Sequence, residues 1–211
     1  IKLCGFTIHY PDFKLLLLLY TEIFLGLPYF AQLDKKAPVI LDGGANIGLS
    51  ILFFKLLYPE AVIHAFEPDE SNFEYLKRNV DANRLTDVHL HHAALAGCAG
   101  KLDLHVRQDV GGGDIGASIY QEHRLLYHEQ TDLACQHVAC ETLSSCINGP
   151  IDLLKLDIEG AEGEVIQEAG LKLAQAERIV MEYHPIPGKN SLPELLGTLK
   201  RAGHRYSIAD G

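Results

Sequence analysis

The sequence predicts an α/β domain, doubly wound around a mostly parallel sheet, and three observations carry that expectation. Strand-like apolar runs alternate with amphipathic helical runs in a β-α-β-α-β order from Val39 to Leu95, the rhythm of a parallel sheet covered by helices. The first of these strands, Val39–Leu41, lies in the near-continuously apolar "APVIL", as suits a strand buried on both faces. It then stops at Asp42 and turns through Gly43-Gly44-Ala45-Asn46-Ile47-Gly48 into a helix. In open α/β sheets that turn is where ligands bind.

With 211 residues, 47% of them hydrophobic and 22% charged, the chain can bury a full core as one domain with an appendage. We place the appendage, an N-terminal cap, at residues 1–35 and the ligand-binding domain at 36–211. In the cap, "IKLCGFTIHY" alternates like a short strand, and Pro11 and Asp12 open a leucine-rich helix that ends at Pro28 and Tyr29. That helix contains Glu22, Gly26 and Pro28 and lacks the roughly 20 clean apolar residues of a membrane span; no signal-peptide pattern precedes it.

After the glycine turn a helix runs from about Ile47 to Leu57, then "AVIHAFEP" as a second strand. A helix over "DESNFEYLKRNVDAN" opens with a Ser71–Glu74 capping box. "VHLHHAAL" reads as one strand, "KLDLHV" as another, and "GGGDIGASIYQEH" as a glycine-rich loop. The core strand "IDLLKLDI" and the helix "GAEGEVIQEA" follow, then the strand "RIVMEYHP", the helix "SLPELLGTLKRAG" and a last strand "HRYSIAD".

The formal charge of −10 excludes extended contact with nucleic acid, which requires neutralising phosphates. Five cysteines without a CxxC pair read as reduced thiols of a cytoplasmic protein rather than a disulfide framework. Cys135, Cys140, Cys146 and His137 are poorly spaced for zinc, and His89, His91 and His92 decorate a strand.

The turn itself decides between ligands. It departs from the GxGxxG of dinucleotide sites by Ala45 at the middle glycine. A like charge on Asp42 about 4 Å from a pyrophosphate would cost roughly 4 kcal/mol at an effective dielectric near 20. The same acid favours a ligand bearing an ammonium and a sulfonium, such as S-adenosylmethionine. Glu67, closing the second strand, is placed to accept both ribose hydroxyls; that suits either nucleoside.

"VILDGGANIGLS", "AFEPDESNFEYLKRN", "LLKLDIEGAEGEVIQEA" and "IVMEYH" resemble, in this order, the FkbM-type methyltransferases, a family with the Rossmann-like class I fold. The resemblance implies an S-adenosylmethionine-dependent enzyme that O-methylates a sugar or secondary metabolite, with nitrogen acceptors open. It implies that Asp42, Gly43, Gly44, Asn46 and Gly48 form the loop around the methionine moiety, that Glu67 holds the ribose, and that Pro68 and Ala93–Ala94 lie near the adenine. Tyr29 would close over the cofactor, with Asp157 beside it.

Residues two apart in a strand share a face, so Lys155 pairs with Asp157, and Glu182 with His184. If the two strands are neighbours, about 5 Å apart, all four converge, and Glu182 is the natural partner for a lysine in a core strand. His184 is the candidate base, because its ordinary pKa lies near working pH; Asp157 is the second. Ser118, Glu159 and Glu162 are candidate acceptor contacts, the two glutamates on one helical face if the helix begins early. Asp157, Glu159 and Glu162 form an alternative oxygen-rich set for a divalent cation. Two other functions remain open on sequence alone: a NAD(P)-dependent oxidoreductase, and a nucleoside-binding module without chemistry.

Overall fold

The computed structural model describes residues 1–107, 114–127, 133–189 and 191–209. The glycines Gly111–Gly113 of the expected loop and Asp210 of the expected last strand lie outside them. The central sheet has five parallel strands: β3 (Val39–Gly43), β4 (Val62–Phe66), β5 (Val88–His91), β9 (Ile151–Leu156) and β10 (Ala176–Met181), in the order β10-β9-β3-β4-β5. Strand order therefore reverses between β3 and β9, and helices cover both faces.

Alternate residues of the central strands feed separate cores. Ile40, Ile63 and Leu153 face α1 (Phe13–Tyr20) and α2 (Leu49–Leu57), while Leu41, Leu154 and Leu156 face α6 (Glu162–Ala169) and α7 (Leu192–Arg201). This two-sided burial is why the strands read as apolar runs instead of alternating. Asp42 and Lys155 continue the first set and so project toward α1 and α2.

The N-terminal residues form a hairpin of β1 (Lys2–Leu3) and β2 (Phe6–Thr7) instead of one strand. Asp12 caps α1 by accepting the Leu15 N–H at 2.9 Å, and the helix widens into a π turn over Thr21–Gly26. Leu15, Leu16, Leu19 and Ile23 from this segment share a core with α2. No helix among the described residues is long and apolar enough to cross a membrane.

Several local expectations are corrected. Helix α3 (Glu70–Ala82) is capped by Asp69, which accepts the Asn72 N–H at 2.8 Å, so Ser71 is inside the helix and forms no capping box. The expected strand "VHLHHAAL" breaks after His91, where the His92 ring turns aside to stack on Phe73. Its continuation, β6 (Ala94–Leu95), pairs in a second sheet with β8 (Leu133–Glu141), which the sequence reading lacked; β7 (Gly100–Arg107) runs antiparallel to β8. "QEH" belongs to α4 (Gln121–Tyr127), α5 spans Leu143–Cys146, and residues 204–209 form no strand.

Gly44 needs to be glycine. Its φ is +78°, and a Cβ there would lie 1.8 Å from the Asp157 carbonyl oxygen. Its N–H donates to Phe66 O at 3.0 Å, which ties the turn to β4. Replacing Gly44 by Ala combines left-handed strain with overpacking, so urea denaturation should show a loss of about 2–5 kcal/mol. A loss below about 0.5 kcal/mol would contradict this packing.

Candidate active site

A cavity of about 430 Å³ opens at the carboxyl ends of the central strands, next to the β3/β9 reversal. Gly44, Ala45 and Asn46 of the glycine turn form one wall, with Glu67 and Pro68 from the end of β4. Ala93 and Ala94 lie along the same wall, and Tyr29 covers the N-terminal side. Lys155 and Asp157 line it beside the turn, and Glu159, Glu182 and His184 complete its polar lining. Most of the expected residues are thus brought together.

Asp42, Gly43 and Gly48 lie behind that wall. Asp42 is fully buried and accepts from Ser50 Oγ at 2.6 Å, while Lys155 Nζ stands 3.2 Å from its Oδ1. Lys155 also donates to the carbonyls of Gly43 at 3.0 Å and Gly44 at 2.6 Å. The expected Lys155–Glu182 pairing is therefore wrong: Asp42 and Lys155 are register partners on β3 and β9, and the closer acid wins. Burial opposes the charge on Lys155, but Asp42 and then Asp157 outweigh it and hold the ammonium above its usual range. So the Asp42 charge is already neutralised within the protein and does not face a ligand.

The turn is closed in a second way. Its N–H groups all find acceptors inside the protein: Gly44 and Ala45 on Phe66 O, Asn46 on Glu67 Oε2, Ile47 on Asn46 Oδ1, and Gly48 on Ala45 O. A phosphate site needs such groups pointing at the ligand. The Asn46 amide is also used internally, donating to Asp114 O at 3.1 Å.

Glu67 accepts from Asn46 N–H and, through its other oxygen, from Asp69 N–H at 2.9 Å. Burial pushes its carboxyl up to about 8, against the pull of those two donors. Tyr29 donates its hydroxyl to Asp157 Oδ2 at 2.7 Å, and its ring lies 5.0 Å from Lys155 Nζ. Burial and then Asp157 raise the Tyr29 phenol far above its ordinary range, so it stays a donor.

The polar end is more crowded than the strand rule implied, because Glu182 and His184 lie past the end of β10. His184 Nδ1 meets the fully buried Glu162 at 3.1 Å, and its Nε2 lies 3.6 Å from Glu182 and 3.8 Å from Glu159. Burial would lower the His184 pKa, but Glu162 and Glu182 overrule it and raise it to about 11. His184 is thus not the isolated, near-neutral base expected from its residue type.

Glu162 is no acceptor contact either. It is the first residue of α6, and its carboxylate takes the N–H groups of Ile158 and Gly160 as well as His184. Glu159 precedes the helix in a left-handed conformation, φ 54°, so the two acids do not share a helical face, and Asp157, Glu159 and Glu162 do not bring three carboxylate oxygens within 4.8 Å of one another. Ser118 is buried, donating its hydroxyl to the Glu159 carbonyl, and Ala117 and Ile119 face the cavity instead.

Sequence reasoning takes "GGGDIGASIYQEH" as an acceptor-side loop with Ser118 as its contact and passes over two other residues in it, Asp114 and His123. Asp114 follows the glycine run; its carboxylate takes N–H groups of Arg107 and Gly116 and the Arg124 guanidinium, and its carbonyl takes the amides of Asn46 and Asn72. An acid within a glycine loop was the available signal. His123, fully buried on α4, puts Nε2 3.2 Å from Glu159 Oε2, and nothing in its local sequence marked it.

Residues 42–206, more than three quarters of the chain, match the family described as Methyltransferase FkbM domain. The chain belongs to that family. Among curated relatives, it is 31% identical over 175 residues to Methyltransferase sdnD of Sordaria araneosa, covering 71% of this chain and 67% of that one. It is 30% identical over 160 residues to 2-O-methyltransferase NoeI of Sinorhizobium fredii, covering 72% and 65%. Against 31-O-demethyl-FK506 methyltransferase FkbM of Streptomyces tacrolimicus it is 27% identical over 233 residues, covering 90% and 81%. The chain thus spans about two thirds of the length of the first two relatives.

The Lys155–Asp42 pair can be tested by stability alone. Lys155→Met leaves a buried carboxylate without its cation and should cost about 3–5 kcal/mol in chemical denaturation. Glu182→Gln should cost under about 1 kcal/mol, since Glu182 is half exposed. The reverse ranking would restore Glu182 as the partner of Lys155.

Proposed function

We propose that this FkbM-family chain transfers the methyl group of S-adenosylmethionine to a hydroxyl of a small molecule, a sugar or secondary metabolite. The observation that carries the cofactor choice is the glycine turn with no N–H from Gly44 to Gly48 left for a phosphate. The cavity beyond it offers a diphosphate only Lys155 and His184 as cations, both already held by carboxylates, in a lining that includes Glu22, Glu67, Asp114, Asp157, Glu159 and Glu182. Such a wall favours a cationic sulfur nucleoside over the dinucleotide of an oxidoreductase.

In this reading Glu67 accepts the ribose hydroxyls, the Ala93–Ala94 backbone and Pro68 flank the adenine, and Gly44 lets the chain approach the methionine part. Asp157, held by Tyr29, lies at the donor end. The acceptor enters over Glu159, Glu182 and His184. Its oxygen attacks the methyl carbon in line: the O–CH₃ bond forms, the S–CH₃ bond breaks, and sulfur leaves with the electron pair as a neutral thioether. The hydroxyl proton passes to Glu182, the half-exposed carboxylate at that end, because His184 is already held protonated by Glu162 and Glu182, and His184 positions the acceptor. Alignment supplies much of the acceleration. The relatives named for O-methylation support an oxygen acceptor.

Labelled-methyl transfer tests the proposal. With a panel of sugar and polyketide alcohols, the wild type should give a labelled ether, and His184→Ala should lower turnover at least about 100-fold while S-adenosylhomocysteine still binds. Unchanged turnover would remove His184 from the mechanism. Glu67→Gln places an amide against two N–H donors, so cofactor affinity should fall about 10–100-fold with a stability loss of about 1–3 kcal/mol. Tight cofactor binding with no transfer across the panel would favour a module without chemistry.

A further inference from the structure

We propose a site for a first-row divalent ion, zinc or a close neighbour, built from His123 Nε2, His184 Nε2 and Glu159 Oε2 at the acceptor end of the cavity. Each of the three residues offers a ligand atom within 4.8 Å of the others, and Glu159 Oε2 lies 3.2 Å from His123 Nε2 and 3.8 Å from His184 Nε2. Ligands of a tetrahedral zinc ion, at bonds of about 2.0–2.1 Å, stand roughly 3.3 Å apart. The set therefore needs only side-chain adjustment to close on an ion.

Three further features point the same way. His184 gives its Nδ1 to Glu162, which aims Nε2 at the other two donors. A carboxylate behind a histidine is the recurrent support of metal ligands, and Glu162 is itself held by the Ile158 and Gly160 N–H groups. The two imidazoles meet edge to face with centroids 5.1 Å apart, and the Nε2 of each lies within 4 Å of the same Glu159 oxygen. Ser118 fixes the Glu159 backbone, and the left-handed φ of Glu159 directs its carboxylate toward α4.

Two imidazoles and one carboxylate select zinc, iron, cobalt or nickel over magnesium, which takes oxygen ligands. Three protein ligands also leave a position open. Glu159 and His184 both line the cavity, so that position faces the acceptor. There the ion would polarise the acceptor hydroxyl and lower its pKa. This role rests on the methyl-transfer reading; ion binding itself does not.

Two other groups compete among the described residues: the exposed Asp103, Cys135 and His137, which sulfur separates, and Asp157, Glu182 and His184, which has one imidazole instead of two and lacks His123. Purified full-length chain, stripped with chelator, is titrated with Zn²⁺ and with Co²⁺ and examined by X-ray absorption. About one equivalent should bind, with nitrogen and oxygen scatterers near 2.0–2.1 Å and no sulfur near 2.3 Å. His123→Ala should raise the Co²⁺ dissociation constant at least tenfold, Glu162→Gln about 10–100-fold, and His137→Ala should leave it unchanged. Absence of uptake at micromolar ion, a sulfur ligand, or indifference to His123→Ala would overturn the proposal. The wild-type absorption measurement decides the matter even if a variant fails to fold, because its imidazole scattering should count two histidines; one histidine would overturn the proposal in favour of Asp157, Glu182 and His184. Because metal content and methyl transfer are read separately, ion uptake without transfer would count against the enzymatic reading and support the site.

Discussion

The site depends on one buried ion pair, Lys155 with Asp42, in the middle of the sheet. A lone charge there would be untenable, and even the pair needs its remaining hydrogen-bonding positions filled. Ser50 fills one on Asp42, and the carbonyls of Gly43 and Gly44 fill two on Lys155. The pair thus spends a strand-end acid and a strand lysine on holding the glycine turn in shape. It also joins β3 to β9 where the strand order reverses, which is the place an open α/β sheet offers a ligand.

That arrangement changes the electrostatic reason for the ligand preference without reversing it. Asp42 repels no pyrophosphate, because its charge is balanced before any ligand arrives. What remains is the shape of the turn, with every donor from Gly44 to Gly48 committed, and a cavity wall in which acids outnumber cations. Asp114 extends the same logic: by accepting from Asn46 and Asn72 it ties the segment leading to α4 onto the turn. The placement of His123 beside Glu159 and His184 follows from that tie.

How much of this was legible depended on range. The core strands β3, β4, β9 and β10 and the helices α2, α3 and α7 stood out, since their apolar spacing is written in consecutive residues. Strand β8 did not: "LACQHVACE" alternates in burial around Val138 and Cys140, but small and polar residues mask the period. "HRYSIAD" has a strand-like composition, yet its residues 204–209 do not pair, although β10 stands at the edge of the sheet. The partner of Lys155 was misjudged because the choice between β3 and β10 depends on register, which is set by the three-dimensional pairing. Glu182 and His184 meet although their strand rule fails, since the chain past β10 folds over α6. The FkbM-like motifs located the cavity; which of their side chains face it needed coordinates.

The most direct measurement is calorimetry of the wild-type chain with S-adenosylhomocysteine and, in parallel, with NADH. A turn closed to phosphate and a wall shaped for a sulfur nucleoside predict saturable heat with the first and none with the second. Tight binding of NADH with no response to S-adenosylhomocysteine would contradict the account.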